Sequence, residues 1–578
     1  MFLRKSFNSK TGRTYLAIVQ GYRDAQGRSK QKNIQSIGYL DELEKLYDDP
    51  ITHFSALAAE MDQQRLIGSN VSINIDMAAR LDRDVALRKN YGYIIYSMVY
   101  HELQIDRFLK NARRHQSFKF NTDAIMRLLV FTRLLFPGSK RAAVLDKNLF
   151  FDKFDFSLDD VYHALTHFDI ISPALQKHLH EMVSAQYKRE TNLVYYDVTN
   201  YYFEIDQQDD LRKRGAEKNH RNDPMVQMGL ILDTQSLPIA YRLFPGNTHD
   251  SQTLMPMLTE IKRNFGVKRI IVVADKGLNS GDNIAYNTIL GDGYIYSKSI
   301  RGASAEFKQW VLDQSGYRVL SDKSRIKSKI VPDAQVRVTY MQKGKKRFKT
   351  TETVEQKWIV FFSEKFASRS RHKREEAVAK ALDMISNPGK YKRSIDYGAA
   401  GYIRNLKVDK DTGEILNPTD TLILDHEKIE QEARYDGYYA IITSELDDSD
   451  DHILQMYRGL WRIEESFKIT KTTLEARPVY LQTPAHINAH FLICFLALLI
   501  ARIVELRLDD RFSIAEITET LLSIGCSHIE QNLWLFDCVN EVTDAFNSEF
   551  GTDFGRKIMS LQEIRSNIGA SKGLLSTD

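Results

Sequence analysis

Apolar positions change their spacing along the chain, and each change marks a boundary. Residues 1–50 alternate apolar and polar positions around turn signals, Thr14-Tyr15-Leu16-Ala17-Ile18-Val19 and then Asp24-Ala25-Gln26-Gly27, which predicts a small β unit. From 85 to 190 apolar residues recur at helical spacing, as in Ala124-Ile125-Met126-Arg127-Leu128-Leu129-Val130-Phe131, until Pro137-Gly138 interrupts them. A helical domain is predicted there. Residues 191–300 carry short apolar runs at Leu193 to Val198, Met225 to Leu232, Pro238 to Phe244 and Arg269 to Ala274, with a helical stretch from Ser251 to Phe265 before the last. That order predicts an α/β sheet whose first three strands form a meander. Residues 301–437 break the pattern with β-like stretches at Gln335 to Met341 and Trp358 to Phe362 and a helix around Glu375 to Ile385, and read as a mostly β insertion. The α/β pattern resumes over 438–510 with a strand at Tyr438 to Thr443, a long helix from about 450 to 473 and an apolar helix after it; 511–578 reads as a helical C-terminal region suited to dimerisation.

Composition narrows the classes without choosing among them. A chain of 578 residues, 43% hydrophobic and 27% charged, has the ordinary make-up of a multidomain globular protein. Its longest uninterrupted apolar run, Phe491 to Ala501, spans eleven residues where a bilayer needs about 20, so a buried helix is expected. The opening MFLRKSFNSK has no apolar core of a secretory signal, and a cytoplasmic protein with no membrane partner follows. The three cysteines, Cys494, Cys526 and Cys538, form no Cys-x-x-Cys pair, so neither a disulfide framework nor structural zinc is implied. Net charge is +4, but residues 1–33 hold eight Lys/Arg against Asp24 alone, and 298–349 hold fourteen against four acids. Two separated basic patches suit contact with phosphate.

Three carboxylates carry the candidate chemistry. In LVYYDVTNYYFE, Asp197 lies inside an apolar and aromatic strand, where an ionised carboxylate needs a cationic partner. RIIVVADKGLNS ends an apolar strand at Asp275 and turns at Gly277, at the carboxyl end where α/β proteins build sites; alone, it also fits a turn-forming Asp. In HILQMYRGLWRIEESFKITKTTLEARP, at about 100° per residue, Tyr457, Trp461, Glu464, Lys468 and Lys471 share one face beside an apolar face of Ile453, Met456, Leu460, Ile463 and Phe467. Glu465 turns about 100° away, toward Arg458 and Arg462, so Glu464 is preferred. Taken singly, Glu464 and Lys468 need be no more than an i,i+4 pair. Two strand-borne Asp with one helix-borne Glu say more, because such acids repel unless divalent cations neutralise them, and Mg²⁺ binds one or two carboxylates plus substrate phosphate.

At these residues the chain resembles the DDE transposases of bacterial insertion sequences, in the group marked by a Tyr-Arg-Glu-Lys signature. The resemblance rests on YYDVTNYYFE, VVADKG, KNHRNDPMVQMGLILD and LFPGNTHDSQTL, the last with Gly246, Asn247, Thr248 and Asp250, and extends over nearly the whole chain. The signature falls on Tyr457, Leu460, Glu464 and Lys471, so its Arg position holds Leu460, with Arg458 or Arg462 as substitutes. The resemblance implies an RNase H-like α/β catalytic core over 191–300 and 438–510, interrupted by the insertion, with the 85–190 helical domain binding DNA. It implies Asp197, Asp275 and Glu464 as catalytic residues and ligands of two Mg²⁺ ions, with Mn²⁺ able to substitute. DNA contacts are then assigned to Tyr457, Arg462, Lys468 and Lys471, and to Trp310, Lys345, Lys346 and Arg347 of the insertion. Trp310 is a candidate to stack on a flipped base, against the plainer role of a core Trp; the 343–349 basic run is alternatively a solvated hairpin tip. The implied activity is binding of terminal inverted repeats, cleavage at the element ends and strand transfer into target DNA, by a homodimer on double-stranded DNA near the bacterial nucleoid. A nuclease that hydrolyses without rejoining and a catalytically inactive DNA-binding derivative are the alternatives.

Overall fold

The computed structural model describes every residue except 10, 24–28, 67–79, 81–86, 115, 216–222, 342–346, 388–396, 406, 409–414, 417–421, 530–531 and 574–578. The chain divides into two compact units, Met1–Leu81 and Asp82–Asp578.

In the first unit three antiparallel strands, Phe2–Asn8, Arg13–Arg23 and Ser29–Tyr39, precede a helix at Pro50–Leu66. Leu16, Leu43 and Phe54 form its small core, with Leu3, Ile37 and Leu57 packed around them. Phe54 and Leu57 come from the helix, so the unit runs past the expected boundary at residue 50.

The second unit is built on a nine-stranded sheet. Its strands are β1 (Leu193–Tyr202), β2 (Met225–Leu232), β3 (Pro238–Pro245), β4 (Ile271–Ala274), β5 (Gly293–Lys298), β6 (Arg318–Val319), β7 (Arg325–Met341), β8 (Arg347–Phe362) and β9 (Tyr438–Thr443). They lie in the order β6-β7-β8-β9-β5-β4-β1-β2-β3. β1, β2 and β3 form the expected antiparallel meander, while β1, β4 and β5 run parallel. Six helices matter to the site: α1 (Thr122–Leu135), α2 (Leu158–Tyr187), α3 (Leu254–Phe265), α4 (Asp450–Arg458), α5 (Trp461–Lys471) and α6 (Pro484–Arg507).

Both faces of the sheet are covered. Tyr195, Tyr201, Met228, Val273, Ile295 and Ile441 pack with the helical domain, α5 and α6, and Val194, Tyr196, Ile231, Val272 and Tyr296 pack on the other side with α3. Alternate residues of a strand face opposite ways, so two separate apolar cores share one sheet. α6 is apolar and long enough to cross a membrane, yet 94% of its most apolar window is buried inside the protein. It is the central helix of the larger core.

Four expectations need correction. The insertion strands do not form a separate domain: β7 and β8 make one long hairpin, and β8 pairs with β9, so the insertion extends the central sheet. The helix expected around Glu375 runs over Glu364–Ser386. The single helix expected over 450–473 is two, α4 and α5, joined through Gly459 and Leu460. Gly459 lies so close to β1 that a Cβ there would stand 2.0 Å from the Tyr195 hydroxyl oxygen. Finally, the region 511–578 is not purely helical. Gly525–His528, Leu533–Phe536 and Ile558–Ser560 form a four-stranded sheet with Arg88–Asn90 from the helical domain; strands this short carry too few residues to display an alternation.

Candidate active site

β1 and β4 pair in parallel with Leu193 opposite Ile271, Val194 opposite Val272 and Tyr195 opposite Val273. Carried two residues further, that register sets Asp197 level with Asp275, at the end of β4. Both acids share the sheet face of Tyr195 and Val273, by the two-residue period of a strand, and that face belongs to the larger core with α5 and α6. Asp197 is half-buried and Asp275 exposed. Neighbouring strands lie about 4.8 Å apart, so a continuation of that register would bring the two carboxylates side by side.

α5 runs alongside the same face. At its start Gly459 and the Arg462 guanidinium, 5.8 Å from the ring, meet Tyr195. At its end Thr470 Oγ1 lies 2.8 Å from the Tyr201 hydroxyl, and Lys471 Nζ donates to Thr199 Oγ1. Asp197, between Tyr195 and Thr199, therefore faces the middle of α5. Glu464 and Lys471 are seven residues apart and almost eclipsed on a helix, so the stripe that brings Lys471 to β1 also carries Glu464. Glu464 and Lys468 are exposed. Glu465 is committed elsewhere: its Oε2 is 2.9 Å from Nη2 of the buried Arg502 of α6.

A tyrosine pair links the second and third acids. Ser297 Oγ donates to Asp275 Oδ1 at 2.8 Å, and the Tyr439 and Tyr457 hydroxyls hydrogen-bond each other. Burial raises the Tyr457 pKa above the ordinary phenol value, and the negative charges of Asp275 and Glu464 push it the same way. One phenol thus feels both carboxylates. A fourth acid borders the turn after Asp275: Asp250 accepts from Gln227 Nε2 at 3.0 Å, and a Cβ on Gly277 would stand 3.3 Å from Asp250 Oδ2.

The donor set suits a hard divalent cation. Asp197 and Asp275 offer two carboxylates on adjacent strands, and Mg²⁺ takes one or two carboxylates and leaves its other positions to water or phosphate. Among the described residues, no three carboxylate, histidine or cysteine groups are gathered as a metal cluster. The strand pair is assembled by register, whereas Glu464 faces it from a separate helix; three carboxylates at contact distance repel one another.

The remaining candidates separate into distinct places. Leu460, at the signature's Arg position, is 9% exposed and belongs to the core, so that position offers nothing to phosphate. Arg462 lies 5.3 Å over Trp461, which is 55% exposed. Trp310 is half-buried in the core beyond the opposite sheet face, near Phe307 and Trp358, with Lys327 and Lys329 at 5.2 and 5.4 Å from its ring. Arg347 is exposed where β8 begins; Lys345 and Lys346 lie outside the described residues. Sequence reasoning passed over Ser297 and Tyr439, although YIYSK places Ser297 on the face of Ile295. It read Asp250 only as part of a turn.

The site thus combines two acids borne by neighbouring strands of a mixed α/β sheet with a helix that carries a glutamate along the same face. The family described as "Transposase DDE domain" matches residues 202–500, a span holding Asp275 and Glu464 and beginning just after Asp197, and "IS1634 family transposase, N-terminal domain" matches residues 3–69. The chain belongs to the DDE transposase family. Among solved structures it is similar to a chain titled "Mos1 transposase paired-end complex with left transposon end", at 12% identity and a TM-score of 0.14, covering 41% of this chain and 65% of that one. No curated protein matches it.

Proposed function

We propose that this protein is the transposase of a bacterial insertion sequence, which binds the element's terminal inverted repeats, cleaves the DNA at its ends and joins the strands to target DNA. The observation that supports this reading is the parallel pairing of β1 with β4 up to Tyr195 and Val273, two residues before Asp197 and Asp275, on the sheet face that packs with α5. Asp197, Asp275 and Glu464 would hold two Mg²⁺ ions, with Mn²⁺ as a substitute; bound there, the ions supply charge neutralisation for the attacking and leaving oxygens of an in-line displacement.

The chain's own groups orient that chemistry. The Ser297 hydroxyl occupies one Asp275 oxygen and fixes the carboxylate's rotation. Exposed Lys468 and partly buried Lys471, on the Glu464 stripe, are placed to meet backbone phosphates. Arg462, beside Trp461 at the start of that stripe, would take the role the signature gives to Arg. Symmetric ends call for two copies on DNA, and the reading places the enzyme in the bacterial cytoplasm.

A duplex carrying the element's end is the test substrate. Asp197→Asn, Asp275→Asn and Glu464→Gln should each abolish cleavage with Mg²⁺ while DNA binding persists; wild-type cutting by any one removes that residue from the site. Pre-cut ends with a 3′-hydroxyl should be joined to a second duplex. Cleavage without joining would favour a nuclease, and binding without cleavage an inactive derivative.

A further inference from the structure

A cavity of about 240 Å³ opens between the helical domain and the loop that follows α5, lined by Arg133, Lys140, Glu475, Arg477, Tyr480 and His490 among others. Its inner wall is cationic and dry. Arg133 is 5% exposed and Lys140 6%. Arg133 spends its terminal nitrogens on carbonyls, Nη1 to Leu474 and Glu475 at 3.1 and 3.0 Å and Nη2 to Gly138 at 2.8 Å, and its buried Nε has no partner. Lys140 Nζ reaches His490 Nδ1 at 3.2 Å. His490 Nε2 lies 3.0 Å from the Ala476 carbonyl, so that nitrogen carries the proton and Nδ1 accepts. Burial, with Lys140 and Arg133 nearby, holds the His490 pKa well below its ordinary value, so the ring is neutral.

Among the described residues no carboxylate lies within ion-pair distance of Arg133, Lys140 or Arg477. When Lys140 is protonated, two buried cations therefore face a cavity whose lining acid, the exposed Glu475, makes no ion pair with either, although an uncompensated buried charge costs several kcal/mol. An ammonium has three donors, and Lys140 spends one of them on His490. The guanidinium of Arg133 is fixed by three carbonyls, and the exposed Arg477 lines the same cavity. That is a donor-rich, acceptor-poor site of a size for one tetrahedral oxyanion, with Glu475 as its single acid.

We propose that this cavity binds a phosphate oxyanion, held by Lys140, Arg133 and Arg477. The same chemistry has two sources: free orthophosphate, or a phosphodiester of DNA passing from the Lys468–Lys471 stripe to the loop just beyond it. The second rests on the transposase reading; the first does not.

The full-length chain decides it in two arms. In the first, thermal unfolding is followed against orthophosphate at constant ionic strength set with chloride. A free-phosphate site gives saturable stabilisation, weakened about tenfold or more in Lys140→Met and Arg477→Gln and strengthened in Glu475→Gln. In the second, duplex affinity is measured against salt. A phosphodiester site lowers the slope of log affinity on log salt by about one in Lys140→Met and in Arg477→Gln. Either pattern supports the site and names its source. If orthophosphate acts no differently from chloride and neither variant changes the slope, the proposal is overturned. Should Lys140→Met fail to fold, the opposite signs expected of Arg477→Gln and Glu475→Gln decide. A chain that binds no DNA would sink the transposase reading and leave the orthophosphate arm intact.

Discussion

Two charged regions flank one short stretch of chain, and they are opposites. At the Glu464 end of α5 lie the three candidate acids, borne by β1, the end of β4 and the helix itself. Past the other end, Lys140 and Arg133 line a cavity whose acid, the exposed Glu475, makes no ion pair with them. Two other buried arginines are paired within the chain: Arg189 and Asp233, 1% and 0% exposed, meet at 2.8 Å, and Arg502 has Glu465 and Glu505. Under the proposed function, a phosphodiester bound with divalent cations would complement both the acidic face and the basic cavity.

The comparison breaks most visibly at the acidic face. Asp275→Asn should lower the rate of end cleavage by about 10³-fold or more while shifting stability within about 0.5 kcal/mol, as for other exposed positions; single-turnover cleavage and urea unfolding measure the two. The paired region should behave the other way round. Asp233→Asn strands a buried guanidinium and should cost about 3–5 kcal/mol in urea unfolding, whereas Lys140→Met, which removes an unbalanced charge, should be neutral or stabilising. Equal losses in the two variants would erase the distinction between them.

Smaller effects sharpen it. Glu465→Gln should cost about 1 kcal/mol or less, since the carboxylate is 41% exposed and Arg502 keeps Glu505, and should leave cleavage near wild type, in contrast to Glu464→Gln. The smallest effect is a pH slope. Burial, with the Arg133 charge adding to it, lowers the Lys140 pKa to about 7; Arg133, Arg477, His490, Cys494 and Glu475 are the titratable or charged groups around it. Below pH 7 both folded and unfolded chains carry the Lys140 proton. Between pH 7 and the ordinary lysine range the unfolded chain holds more protons, so stability should rise with pH there, and Lys140→Met should flatten that rise in unfolding measured from pH 7 to 9.

Much of this was legible in the sequence because strand periodicity and register are local properties. Leu193 to Val198 reads as a strand that contains its acid and Arg269 to Ala274 as one that ends at its acid, and the structure pairs the two in parallel from Leu193 and Ile271 to Tyr195 and Val273. The spacing of Glu464 and Lys471 likewise fixed one stripe of a helix. What stayed hidden depended on contacts distant in sequence. The break between α4 and α5 falls at Gly459, where only a glycine leaves room for Tyr195, more than 260 residues away by sequence number. The Tyr439–Tyr457 link and the Ser297–Asp275 bond join different elements. The insertion was taken for a separate domain because its strands carry no mark of the partner they pair with; only β8 lying against β9 reveals that they widen the central sheet.

Manganese binding tests the central claim most directly. Titrating the full-length chain with Mn²⁺, bound to duplex DNA and followed by electron paramagnetic resonance, should show saturable sites that weaken sharply in Asp197→Asn and in Asp275→Asn but not in Glu465→Gln. Undiminished Mn²⁺ binding in both aspartate variants would contradict the assignment of β1 and β4 as the metal-bearing strands.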